Sequence, residues 1–280
     1  GGSTPKALKG YGIEEGAWSD EAGMYGLIHD MRSRIISSPA FTGDKVIGAI
    51  LFERTMDGEV GGVPTPQALI AKGVVPFIKI DKGLEDEADG VQLMKPMPEL
   101  DTLLARSKAL GVYGTKERSV INSANAEGIA QIVKQQFEVG RQVLSHGMMP
   151  MLEPEINIKS ATRAECDQLL LAEILKNLDT LEDGVQVMLK LSLPVVPGTF
   201  DPLVEHPKVL RVVALSGGYE RPEACVELSK NKGIIASFSR ALLQDLRFQM
   251  SDAEFDASLG EAIDEIYKGS TQKAEAAAAA

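Results

Sequence analysis

Three lysines and a glutamate, Lys79, Lys116, Glu153 and Lys190, follow one another at a constant interval of 37 residues. Each stands near the carboxyl end of a short apolar run: Val74–Ile80, Val112–Lys116, Met148–Pro154 and Val185–Leu191. Each run is preceded by a glycine (Gly73, Gly111, Gly147 and Gly184) of the kind that closes a helix. Such an interval holds one strand, one helix and two turns. Polar groups placed at the carboxyl ends of successive parallel strands are the pattern of a (β/α)₈ TIM barrel, which assembles its site at that mouth.

The residue types at these positions narrow the chemistry. Burial disfavours the ammonium form, so a lysine in an apolar strand either pairs with a carboxylate or works as a neutral amine nucleophile. Any one of them alone reads more readily as a strand-end salt bridge; three at equal spacing with a carboxylate among them favour the catalytic reading. Clustered ammonium groups also repel, which lowers the pKa of the most buried one. Lys190 is then the candidate amine for an iminium with a ketone, and Glu153 the candidate proton shuttle.

The remaining segments fit the same frame. Val46–Phe52, Val209–Leu215 and Gly233–Ala236 read as further strands. Helices are expected over Asp20–Ile36, Pro66–Lys72, Leu100–Leu110, Ala126–Gly147, Thr162–Thr180 (capped by Ser160 or Thr162), Arg221–Lys230 and Ala241–Phe248. A closing helix runs over Ser251–Tyr267 with a Ser251/Glu254 capping box. The chain reads as a single domain, barrel and closing helix through residue 267, with 268–280 a C-terminal tail whose end, Ala276–Ala280, is low-complexity. Seven strands are counted where a closed barrel has eight. The first strand is the absent one, and a strand ahead of Gly1 is the expectation, with either a gap between Val46–Phe52 and Gly233–Ser237 or a segment filling it from elsewhere.

Ser216-Gly217-Gly218, after Val209–Leu215, is a candidate phosphate nest of backbone amides. Ser237, Ser239 and Arg240 follow the last strand, and loops after strands seven and eight form the usual phosphate site of these barrels. The guanidinium fork of Arg240 suits phosphate. Gly1-Gly2-Ser3-Thr4-Pro5-Lys6, a glycine-rich loop entering a helix at Pro5, adds Ser3 to the candidates.

Other chemistries are absent from the sequence. No Gly-x-Gly-x-x-Gly or Gly-x-x-x-x-Gly-Lys-Ser/Thr loop is present. His29, His146 and His206 are scattered, so no metal ligand set and no cofactor are expected. The net charge of −11 argues against nucleic acid as a partner, since phosphate backbones need a basic face. No apolar run is long enough to span a membrane. Cys166 and Cys225 read as free core thiols, which fits a reducing, cytoplasmic setting.

Glu153-Pro154-Glu155, Leu189-Lys190, Leu215-Ser216-Gly217-Gly218 and Lys79-Ile80-Asp81-Lys82-Gly83 together resemble the class I (Schiff-base) fructose-bisphosphate aldolases. Gly1–Lys6 and Gln92-Leu93-Met94-Lys95-Pro96 bring the resemblance closest to the compact bacterial type. The resemblance implies metal-free, reversible cleavage of fructose 1,6-bisphosphate to dihydroxyacetone phosphate and glyceraldehyde 3-phosphate. It implies Lys190 as the Schiff-base lysine and Glu153 as proton donor and acceptor. Glu155 and Lys116 become paired charges beside them, and Lys79 a lysine at the barrel mouth. Ser216, Gly217, Ser239 and Arg240 become the phosphate cradle, and an aspartate ending the first strand, ahead of Gly1, helps to break the bond. Lys82, Arg54 and Lys6 are candidates for the second phosphate. Small sugar phosphates are the expected partners, with a homo-oligomer allowed. Two other readings stay open at this level: another Schiff-base barrel, transaldolase-like or deoxyribose-phosphate aldolase-like, and a non-catalytic barrel scaffold.

Overall fold

A computed structural model describes residues 4–274. Seven parallel strands form one sheet: β1 (Gly48–Leu51), β2 (Val75–Lys79), β3 (Gly114–Ile121), β4 (Met149–Ile156), β5 (Val187–Ser192), β6 (Val209–Leu215) and β7 (Ile235–Ala236). They pair in sequence order, so the sheet curls as a barrel does and stays open between its edges β1 and β7. The gap expected between those two strands is therefore present among the described residues. Val91–Gln92 adds a short antiparallel rung to β3, and Glu59–Val60 with Val63–Pro64 makes a separate hairpin.

Helices alternate with the strands: α1 (Thr4–Gly10), α2 (Glu21–Ser37), α3 (Thr65–Ala71), α4 (Leu100–Ala109), α5 (Ala126–Ser145), α6 (Arg163–Leu178), α7 (Asp201–Val204), α8 (Arg221–Ser229), α9 (Arg240–Leu243) and α10 (Asp252–Thr271). The four glycines ahead of β2 to β5 all have positive φ, between 67° and 85°, as helix-ending residues do. Ser251 and Glu254 form the expected capping box of α10. At α6 the cap differs from the expectation. Thr162 occupies the cap position, but its hydroxyl accepts the Ala124 amide instead and leaves the helix uncapped by a side chain. The helix expected over Ala241–Phe248 shortens to α9, and the chain beyond it turns so that the Phe248 amide bonds the Tyr11 carbonyl.

Strand alternation divides the side chains between two faces. Ile78, Leu152, Leu189, Val212 and Ala214 point outward into apolar layers beneath the helices. Phe77, Met151, Met188 and Val213 point inward and fill the lower barrel. Gly114 is obligatory in that layer: a Cβ there would lie 2.2 Å from the Met149 carbonyl and 2.9 Å from the Phe77 ring. Two residues further along β2 to β5, on the same inward face, stand Lys79, Lys116, Glu153 and Lys190. The ladder pairs Lys79 with Lys116 directly and sets Glu153 opposite Arg118, two residues further along β3, so the layer steps by two residues between β3 and β4. β3 and β4 run past the expected strand ends, so Glu153, Pro154 and Glu155 lie within β4 and not on its rim.

Candidate active site

Glu153 is the hub of the inward polar layer. Its Oε2 lies 2.6 Å from Lys116 Nζ and its Oε1 3.2 Å from Lys190 Nζ. All three side chains are under a tenth exposed. The β4–β5 ladder comprises Met151–Met188 and Leu152–Leu189 only, ending where Glu153 and Lys190 begin. Beyond that point the strand ends are clasped by Ser192, whose buried hydroxyl accepts the Ile156 amide at 2.9 Å and donates to the Ile156 carbonyl at 2.8 Å. Lysine and glutamate are thus held face to face by a side-chain bridge in place of backbone pairing.

Asp81, two residues beyond Lys79, completes the layer. Its carboxylate takes the Lys79 ammonium at 2.5 Å, accepts the Arg118 amide at 3.0 Å and lies 3.8 Å from Lys116. Arg118 sits two residues beyond Lys116 on the same face, and its guanidinium pairs with Glu155. This corrects the expected pairing of Glu155 with Lys116: Glu155 belongs to Arg118, and Lys116 to Glu153 and Asp81. Sequence reading passed over Asp81 and Arg118. The period of two along a strand was the signal for both.

The electrostatics separate the lysines. Burial would lower Lys116, but the Glu153 and Asp81 charges outweigh it and raise the pKa, keeping an ammonium there. Lys190 is lowered, chiefly by burial, with Glu153 opposing and Lys116 assisting. Lys79 is also lowered by burial, against the pull of Asp81. Its Nζ is nevertheless committed to the Asp81 carboxylate and, at 2.9 Å, to the Asp81 carbonyl. Burial opposes the ionisation of Glu153, yet Lys190 and Lys116 overcome it and bring the carboxyl down to about 2. Both causes expected from sequence act on Lys190, with desolvation ahead of repulsion from Lys116. Neighbouring groups whose pKa values are driven apart are the mark of divided acid–base labour.

Ser216-Gly217-Gly218 follows β6, the strand beside Lys190. Both glycines have positive φ, 64° and 112°, and the Tyr219 amide closes the turn on the Ser216 carbonyl at 2.9 Å. Gly217 also packs where a Cβ would meet Ile158 at 2.8 Å. Ser237 continues from β7, its amide on the Ala214 carbonyl at 2.7 Å. Ser239 and Arg240 are exposed at the start of α9, and Arg240 makes no ion pair among the described residues. Ser3 lies outside the described residues. Of the other cations, Lys82 is paired with Glu53 at 2.5 Å, Arg54 stacks 3.9 Å above the Tyr25 ring centroid, and Lys6 is exposed on α1. Among the described residues, no group of three or more His, Cys, Asp or Glu side chains is arranged to hold a metal ion. His29, His146 and His206 each make a local contact, to the Glu59 carbonyl, Asp101 and the Lys208 amide. Cys166 and Cys225 are free and buried, as expected. No described helix is long and apolar enough to cross a membrane.

Comparison with known proteins bears on the fold and the family. A structure of fructose-bisphosphate aldolase from Plasmodium falciparum, in complex with TRAP and a small-molecule inhibitor, superposes with a TM-score of 0.77 over 97% of this chain and 88% of that one. At 21% identity that likeness speaks for the fold, a TIM-barrel sheet that is here open by one strand. The family model described as fructose-bisphosphate aldolase class-I matches residues 29–198, more than half of the chain, and sets aside the other Schiff-base barrels and the inert scaffold. The chain belongs to the class I fructose-bisphosphate aldolases, the Schiff-base lyases of sugar phosphates.

Proposed function

We propose that Lys190 is the amine nucleophile, Glu153 its proton partner and Lys116 the fixed charge that orients them. The observation that carries this reading is one buried carboxylate in contact with two ammonium groups whose pKa values move in opposite directions. The reaction is the family's reversible cleavage of fructose 1,6-bisphosphate to dihydroxyacetone phosphate and glyceraldehyde 3-phosphate. Lys190 gives its proton to Glu153 across the 3.2 Å contact and attacks the ketone carbon as a neutral amine. The carboxyl's pKa rises as Lys190 loses its charge, because the two sites titrate as a pair. Glu153 then donates a proton to the carbinolamine hydroxyl, water leaves, and an iminium forms. The iminium accepts the electron pair of the adjacent carbon–carbon bond, and the aldehyde departs as its hydroxyl proton passes to base. Protonation of the enamine carbon and hydrolysis of the iminium release the ketone phosphate and restore Lys190.

Backbone amides of Ser216, Gly217 and Gly218 are suited to one phosphate of the substrate, with Ser237, Ser239 and Arg240 beside them. For the second phosphate Arg118, inward-facing beyond Lys116, joins Lys82 and Arg54 as a candidate; all three are engaged, with Glu155, Glu53 and the Tyr25 ring. The free buried thiols fit a reducing, cytoplasmic setting.

Borohydride added with dihydroxyacetone phosphate tests the assignment. The expected result is a covalent adduct, seen as a mass increase on the peptide carrying Lys190. Lys190→Arg should abolish it, since a guanidinium stays charged and cannot act as the amine. An adduct on Lys79 or Lys116 would transfer the nucleophile's role to that residue.

A further inference from the structure

We infer that Arg163, on the outer helix α6, is a positioning residue for the phosphate turn, tying it to the loop that follows the Lys190 strand. This rests on the reading of Ser216-Gly217-Gly218 as a phosphate nest. Two loops flank the opening above β5 and β6. One leaves β5 at Leu193, three residues beyond Lys190, and the other is the Ser216–Tyr219 turn. Arg163 spans both. Its Nη1 donates to the Tyr219 hydroxyl at 2.9 Å, its Nη2 to the Leu193 carbonyl, and its guanidinium carbon lies 6.0 Å from the Tyr219 ring centroid.

The tie is anchored at both ends. One turn along α6 from Arg163, the buried Asp167 accepts the Val195 amide at 2.8 Å, so the helix grips the β5 loop at a second point. Leu193 is itself only 2% exposed and directly follows Ser192, the clasp between β4 and β5. At the other end, Tyr219 closes the turn that holds Gly217 and Gly218 in left-handed conformations. Two consecutive glycines are the least restrained backbone a chain can offer. A nest built on them binds an anion well only if its amides are already convergent, because ordering them on binding costs affinity. Arg163 supplies that restraint through the Tyr219 side chain and not through the glycine amides themselves.

Arg163→Met, Arg163→Lys and Tyr219→Phe separate this role from simple stability. The first readout is calorimetric binding of glycerol phosphate, which has one phosphate and no carbonyl and so reads the nest without imine chemistry. Arg163→Met should raise its dissociation constant roughly ten-fold, the scale of a lost charge-assisted hydrogen bond. Tyr219→Phe, which removes one hydroxyl, should give a several-fold rise, and Arg163→Lys, which can keep one of the two contacts, should fall between. The second readout is borohydride trapping with dihydroxyacetone phosphate compared with unphosphorylated dihydroxyacetone. The variants should need more of the phosphorylated ketone for half-maximal trapping, while trapping of the other ketone stays within about two-fold, because such remote groups do not touch the amine. Equal losses with both ketones, or unchanged glycerol phosphate binding in Arg163→Met and Tyr219→Phe, would overturn the inference. If the wild type traps neither ketone yet the variants still weaken glycerol phosphate, the assignment of Lys190 falls and the role of Arg163 stands.

Discussion

Replacing Glu153 by glutamine removes one negative charge from between two buried ammonium groups while keeping the side chain's shape. Its carboxyl ordinarily titrates near 4.5 and is held at about 2 here, so the native state prefers the ionised form over about 2.5 pH units. At ~1.36 kcal/mol per unit, this preference contributes about 3 kcal/mol to folding. The sign follows from the depressed value. The contribution is complete above pH 4.5 and is lost as pH falls through 2, so it is an acid-side stability. Near neutral pH, Glu153→Gln should therefore be less stable by about 3–5 kcal/mol, since Lys116 and Lys190 are left buried without their shared partner. At ~2–4 °C per kcal/mol the melting temperature should fall by roughly 6–20 °C. Turnover should drop by ~10²–10⁴, the usual loss for a missing general acid/base. Denaturant titrations at pH 6 and pH 3 give the two stabilities, and the variant should lose less than the wild type between them. A variant with normal turnover would pass proton transfer to Glu155. A variant of normal stability at pH 6 with an unchanged acid slope would show that the Lys116–Glu153–Lys190 contacts do not hold the layer together.

Three further outcomes follow from neighbouring groups. Glu117 lies on the outward face of β3, fully buried, with Thr115 donating to it at 3.0 Å, and burial pushes it up to about 8. The native state then keeps a proton that the unfolded chain releases at 4.5, so wild-type stability should decline between pH 4.5 and 8 by about 5 kcal/mol; in denaturant titrations Glu117→Gln should flatten that decline, and an undiminished slope would relocate its source. Ser192→Ala strands the Ile156 amide and carbonyl and should cost ~2–4 kcal/mol, with a lower rate of borohydride trapping as Lys190 and Glu153 lose register; unchanged trapping would show the clasp to be structural only. Aldol cleavage should persist in excess EDTA, because amine and carboxyl groups carry the proposed chemistry; loss of activity restored by zinc would overturn it.

The interval between Lys79, Lys116, Glu153 and Lys190 by itself determined that these side chains share a layer. Repeats of equal length return each position to the same stretch of successive parallel strands, and because the offset between β3 and β4 is an even two residues, the period of two keeps all four on the inward face. Helix ends were legible for the same local reason: a positive φ at Gly73, Gly111, Gly147 and Gly184 is a property of the residue more than of its surroundings. Tertiary structure decided how the charges are shared. Nothing in the spacing says that Glu153 serves both Lys116 and Lys190, that Asp81 holds Lys79, or that Glu155 turns to Arg118. Nor does it say that burial, more than repulsion, lowers Lys190 while two carboxylates raise Lys116. Those outcomes depend on distances of a few ångströms between strands far apart in sequence, and on how much water each group has lost, because Coulomb and desolvation energies vary steeply with both. The short α9 and the displaced Thr162 cap have the same origin. A neighbouring segment offered a competing hydrogen-bond partner, and local propensity yielded to it.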